Sequence, residues 1–221
     1  MAHRFEILAR ESCHDGFLRL DRVRLRHALF EGGMTPELTR ECLVRGLAVT
    51  VLPYDPVRDE VVLVEQFRVG AIDDQRGAWI TETIAGIAEP GEEPREVAAR
   101  EAWEEAGIRV DDLRLVADYL PSPGGSTERV VLYCARCDTE GAGGIHGLDE
   151  EHEDIWAHVV PAEEAIDQVA GGHYRAAMPI IALQWLVLNR QRLREEWTGG
   201  GGWPEALWAV DTDDGLGEGR S

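Results

Sequence analysis

The chain has 221 residues, of which 44% are hydrophobic and 29% charged, enough for one ordinary domain whose core needs no disulfide or metal staple. Its 42 acidic residues outnumber 22 basic ones for a net charge of −20, and every basic residue is Arg. The absence of Lys excludes Schiff-base and P-loop lysine chemistry, and so acidic a chain lacks the clustered cations that neutralise nucleic-acid phosphates.

In chain order, residues 17–30 (FLRLDRVRLRHALF) alternate apolar with basic or polar residues and predict a long half-buried strand or a hairpin. The turn at 32–35 leads into a short mixed segment, ELTRECLVRG. Residues 47–55 and 60–70 are two β-rich runs joined by a Pro/Asp turn, the pattern of a hairpin. Residues 80–89 predict one strand entering a Gly/Pro loop. A helix follows, with Pro94 in its first turn, Gly107 past its end, and Val97, Ala98, Ala102 and Ala106 as its apolar stripe. DLRLVADYL and RVVLYCARCD predict two more strands. Residues 139–154 form a Gly-rich, then acidic loop, and IWAHVV is a short strand. Two helices follow, over PAEEAIDQVAGG and residues 177–197. Residues 198–221 are Gly-rich and acidic, the composition of a flexible tail. The order predicts an α+β fold, an α/β/α sandwich, rather than a regular βαβ array.

The richest apolar stretch, residues 178–188, contains Gln184 and is too short to cross a bilayer. The N-terminus has no apolar core of a secretory signal, so a cytoplasmic location is expected, with no membrane partner. Cys134 and Cys137 form a CxxC, but residues three apart on a strand point to opposite faces and cannot share a metal. They are expected to be apolar fillers.

The chemistry concentrates on the helix from residue 94. Glu101, Glu104 and Glu105 are spaced i, i+3, i+4 and share one helical face. Converging hard oxygens suit Mg2+ or Mn2+. A solvated acidic face is the competing reading, and the helix alone does not decide between them.

The surrounding pattern decides. Gly86, five residues, Glu92, seven residues and then Arg100-Glu101-Ala102-Trp103-Glu104-Glu105-Ala106-Gly107-Ile108 resembles the box of the Nudix hydrolase family, Gly-x5-Glu-x7-Arg-Glu-U-x-Glu-Glu-x-Gly-U. The one soft departure is Ala102, where a larger aliphatic is usual. Gly86 and Gly91 are expected to let the loop turn tightly, and Arg100 to point to another face and pair with Glu92. The resemblance implies metal ligation by Glu101, Glu105 and the Ala85 carbonyl, with Glu104 as a further ligand or catalytic group, and two or more ions per site.

Outside the box, SPGGSTER starts 15 residues after Gly107, which resembles the ADP-ribose pyrophosphatase branch of the family. Similarity extends through ARESCHDGFLRLDRVRLRHALFEGGM, RECLVRG, PYDPVRDEVVLVEQFRVGA, GIHGLDEEHED and IALQWL. It implies hydrolysis of ADP-ribose to AMP and ribose 5-phosphate. By the same resemblance Glu151 is the catalytic base and Glu153 an additional metal ligand. Phe17 stacks on the adenine with Leu18 beside it, Arg40 and Glu41 are adenine- or ribose-side contacts, and Arg45 and Arg68 meet the phosphates or the ribose. Ser122, Pro123, Gly124 and Glu128 line the terminal ribose, and Ile87 joins the substrate contacts. Residues 1–45 are then a β-rich dimerisation region, residues 46–197 the Nudix domain, and Phe17, Arg40 and Glu41 act in the partner subunit's site. An amphipathic strand seeking another sheet makes the homodimer plausible independently. The acidic loop could be a lid or a solvated surface loop, and spacing does not choose among Glu150, Glu151 and Glu153 as base. Alternatives are another nucleotide sugar, such as GDP-mannose, or a non-catalytic ADP-ribose-binding regulator.

Overall fold

The computed structural model describes residues 4–148, 150 and 152–199. Two sheets organise it. Strands β1 (Phe5–Asp15), β2 (Arg19–His27) and β3 (Leu38–Val44) form an antiparallel sheet in the order β1-β2-β3. The amphipathic run at 17–30 is therefore one strand, and its hairpin partner lies upstream, where polar composition had hidden it. The mixed segment after the turn is a strand too. The end of β3 is tied to the SPGGSTER loop: Leu43 N–H donates to Gly125 O (2.9 Å) and Leu43 O accepts from Thr127 N–H (3.0 Å).

In the second sheet, β4 (Leu47–Asp55) and β5 (Glu60–Phe67) begin as the expected hairpin. Asp55 Oδ1 accepts from Val57 N–H (2.8 Å) and Arg58 N–H (3.0 Å), which shapes the turn. The two strands pair only at Tyr54↔Val61 and Asp55↔Glu60, then diverge. The fork is filled by β6 (Trp79–Glu82) on β5 and β7 (Ile84–Ile87) on β4. The single strand expected over 80–89 is thus two, broken at Thr83. Thr50 holds the break, meeting Thr83 Oγ1 at 2.7 Å and donating to Ile84 O at 2.8 Å. Strand β8 (Val110–Tyr119) pairs antiparallel with β9 (Arg129–Cys137), which runs parallel to β4. Strand β11 (Ile155–Pro161) flanks β5, with β10 (Gly144–His146) at the edge, so part of the predicted loop at 139–154 is strand.

Helix α1 (Pro94–Ala106) covers one face of this mixed sheet; α2 (Ala162–Ala170) and α3 (Ala177–Gly199) cover the other. Strand alternation builds both cores. Val49, Val51, Val62 and Val64 pack with Val97, Ala98, Ala102 and Ala106 of α1. Leu52, Tyr54, Val61 and Leu63 pack with Ala162, Ala182, Leu183 and Leu186. Ala102 is fully buried, so the small side chain draws α1 close to the sheet. Cys134 lies in the α3-side core and Cys137 in the α1-side core, on opposite faces as their spacing required. Burial raises both thiols, Cys137 to about 12, so neither is an effective nucleophile. Among the described residues no helix is long and apolar enough to cross a membrane.

Candidate active site

Helix α1 is delimited as its sequence required. Pro94 stands in the first turn, and Gly107 closes the helix in the left-handed conformation (φ 65°), donating to Trp103 O at 2.9 Å. Between these caps the helical period turns Glu101 and Glu105 toward the sheet, where both are buried, and leaves Glu104 partly exposed.

Strand β7 lies along that carboxylate face. Ala85 N–H donates to Glu105 Oε2 at 3.1 Å. A Cβ placed on Gly86 would stand 1.7 Å from Glu101 Oε1. Glycine is required at this position for close approach. The turn itself is supplied by Gly91, whose φ is +90°. The expectation that Gly86 serves the turn is corrected accordingly.

Arg100 is also placed differently from expectation. It reaches Glu92 Oε1 at 3.6 Å, but its Nη1 is closer, at 2.9 Å, to both Glu101 Oε1 and Glu104 Oε2. It therefore shares the carboxylate face. Glu92 accepts from Glu89 N–H at 2.7 Å and holds the loop onto the helix through Arg100.

Burial pushes the Glu105 carboxyl up to about 8; Ala85 N–H and Arg68 oppose the rise, while Glu101 and Glu153 add to it. Burial likewise raises Glu101, against the pull of Arg100 and with a further push from Glu104 and Glu153. Two buried carboxylates on successive turns are thus held where ionisation is unfavourable without added positive charge. Their hard oxygens fit a divalent cation such as Mg2+ or Mn2+. Among the described residues no three His, Cys, Asp or Glu side chains surround one point.

This chain matches the NUDIX domain family over residues 44–178. The chain belongs to the Nudix family. It is 48% identical over 192 residues to the ADP-ribose pyrophosphatase of Escherichia coli (strain K12), a match covering 87% of this chain and 92% of that one. The ADP-ribose pyrophosphatase of Haemophilus influenzae is 44% identical over 195 residues, covering 87% and 90%. A GDP-mannose pyrophosphatase of Klebsiella pneumoniae is 34% identical over 165 residues, covering 69% and 82%. The fold is shared with a crystal structure described as an ADP compounds hydrolase, with a TM-score of 0.64 and 21% identity over 87% of this chain and 96% of that one.

Around this Nudix centre the acidic loop is rooted on α1. Gly147 N–H donates to Glu104 O at 3.3 Å, and a Cβ on Gly107 would stand 2.7 Å from the His146 ring. Glu153 N–H donates to Leu148 O at 3.2 Å, and the Glu153 carboxylate accepts from Leu148 N–H at 3.3 Å. Glu153 is thus close enough to act on Glu101 and Glu105 electrostatically. Glu151 lies outside the described residues, as does the tail from residue 200.

The residues expected at the substrate divide into two groups. Arg45 pairs with Glu128 at 3.2 Å, and Thr127 Oγ1 bridges the Arg45 backbone. Ser122 O accepts from Gly125 and Ser126 N–H, which fixes the loop carrying Pro123 and Gly124 beside them. Ile87 is half-exposed, next to Gly86. Phe17 is fully exposed at the β1–β2 turn with Leu18 beside it. On β3, Arg40 bonds Thr39 O (2.8 Å) and Glu41 pairs with Arg22 (3.3 Å); among the described residues neither reaches the α1 carboxylates. Sequence reasoning missed Glu82. It is buried and its Oε2 accepts from Arg68 Nε at 2.7 Å. Register across β5 and β6 makes this pair, and no single-strand pattern announces it.

Proposed function

We propose that the protein hydrolyses the pyrophosphate bond of ADP-ribose to AMP and ribose 5-phosphate in a divalent-metal-dependent reaction. The observation that carries this reading is the 48% identity to an ADP-ribose pyrophosphatase along 92% of that enzyme's length. The buried pair Glu101 and Glu105 on α1 supports it chemically. Bound Mg2+ or Mn2+, two or more ions per site, supplies polarisation of the phosphoryl oxygens. Glu101, Glu105, the Ala85 carbonyl and Glu153 hold the ions, with Glu104 beside them. Glu151 takes the proton of the attacking water; a phosphorus–oxygen bond forms to that water and the bridging one breaks. Arg45 and Arg68 meet the phosphates or ribose, and Ser122, Pro123, Gly124, Glu128 and Ile87 hold the sugar side.

Residues 1–45 form the dimerisation region, residues 46–197 the catalytic domain and residues 198–221 a tail. Phe5, Ile7 and Phe30 of the N-terminal region are exposed in the single chain, which supports pairing with a second copy. Phe17, Arg40 and Glu41 then bind the adenosine in the partner's site, with Leu18 beside Phe17. The enzyme works in the cytoplasm. A GDP-mannose activity is the second reading, favoured by the 34% identity to such an enzyme, but that match is shorter and weaker. A binding-only regulator fits poorly with a box that retains Glu92, Glu101, Glu104 and Glu105. The test is product analysis on a panel of nucleotide sugars with Mg2+: AMP and ribose 5-phosphate from ADP-ribose are expected, and preferential turnover of GDP-mannose would overturn the assignment.

A further inference from the structure

We infer that Gln66 positions the substrate, its side-chain amide donating to a phosphate oxygen of the bound diphosphate. The inference rests on the proposed reaction and adds to it a residue with no assigned role. Gln66 lies on β5 with 8% of its surface exposed, and its Nε2 is buried without a hydrogen-bond partner in the protein. A buried N–H left unpaired is unfavourable, so such a group calls for a ligand or a structural compensation.

Strand alternation says where the amide is aimed. Val62 and Val64 of β5 face α1, so Gln66 and Arg68 continue the same face. Across the β5–β6 ladder Val64 opposes Glu82 and Gln66 opposes Ile80. Gln66 therefore shares the α1 side of the sheet with Arg68, two residues along β5, and with Glu82, diagonally across the ladder. Arg68 engages Glu82 through Nε at 2.7 Å, and this polar pair extends the face of β5 whose Val62 and Val64 pack against α1, the helix that carries Glu101 and Glu105. Arg68 meets Glu82 through Nε alone, so the amide N–H and the terminal guanidinium nitrogens remain as donors on this face. That pairing accepts an anion's oxygen rather than a cation.

The test compares wild type with Gln66→Met and Gln66→Glu in steady-state kinetics with ADP-ribose and Mg2+, together with melting curves of the free proteins. Gln66→Met is expected to raise KM by roughly ten-fold or more, with kcat within about two-fold, because the contact is made to substrate and transition state alike. Its free-state Tm should not fall, since an unpaired donor is removed and no bond is broken. Gln66→Glu should raise KM further by repelling the phosphates. An unchanged KM in Gln66→Met overturns the inference, and so does a lowered Tm, which marks the amide as structural. If wild type hydrolyses GDP-mannose and not ADP-ribose, the substrate reading fails, and the KM shift measured with GDP-mannose still decides the role of Gln66.

Discussion

Gly86 lies so close to Glu101 that a methyl group on its Cα would overlap the carboxylate, 1.7 Å from Oε1 and 2.1 Å from the carboxyl carbon. Glycine here lets β7 pass beneath the turn of α1 that carries Glu101. Gly86→Ala is therefore expected to displace Glu101. The overpacking should lower Tm by roughly 3–10 °C, and kcat/KM should fall by about 100-fold or more if the proposed ligand Glu101 is moved from its place. Near-wild-type kinetics in a folded Gly86→Ala protein would show that the Glu101 position is not needed.

Glu105 makes a prediction about pH. Its folded-state pKa of about 8 stands above the usual 4.5, so between those values the folded protein keeps a proton that the unfolded chain releases. Stability of the metal-free protein in chelator should fall as pH rises across that window. Glu105→Gln should flatten that part of the profile, which denaturant unfolding at several pH values can measure. With Mg2+ present, Glu105→Gln should reduce activity by orders of magnitude with the fold intact. If Glu105→Gln and Glu101→Gln both kept near-full activity, the metal assignment would be wrong.

The acidic loop, on which the proposed base Glu151 lies in sequence, is tied to α1 by the hydrogen bond from Gly147 N–H to Glu104 O. Glu151→Gln should lower kcat strongly and leave substrate binding nearly unchanged, because a base acts on the water. Glu150→Gln should be mild. A mild Glu151→Gln beside an inactive Glu153→Gln would move the base to Glu153.

Subunit complementation tests the shared site. Arg40→Ala and Glu105→Gln chains should each be nearly inactive alone. After subunit exchange, a heterodimer holds one site with both lesions and one with neither, so activity should recover to about a quarter of wild type by random pairing. No recovery despite exchange, or a monomer at working concentration, would remove Arg40 from the partner's site.

Features set by local periodicity were legible from the residues alone. A helical repeat of 3.6 placed Glu101 and Glu105 on one face of α1, and Pro94 and Gly107 marked its ends. A strand repeat of two sent Cys134 and Cys137 to opposite cores. These follow from backbone geometry within one element, so neighbours in sequence suffice to read them. Tertiary structure alone decided which elements meet. The fork between β4 and β5, the break at Thr83 and the burial of Glu82 against Arg68 all come from register between strands far apart in sequence. The three-way sharing of Arg100 and the glycine at 86 depend on how closely helix and strand pack. That distance is set by side-chain volume across the whole core, with Ala102 drawing the helix in, and no short stretch of sequence contains it.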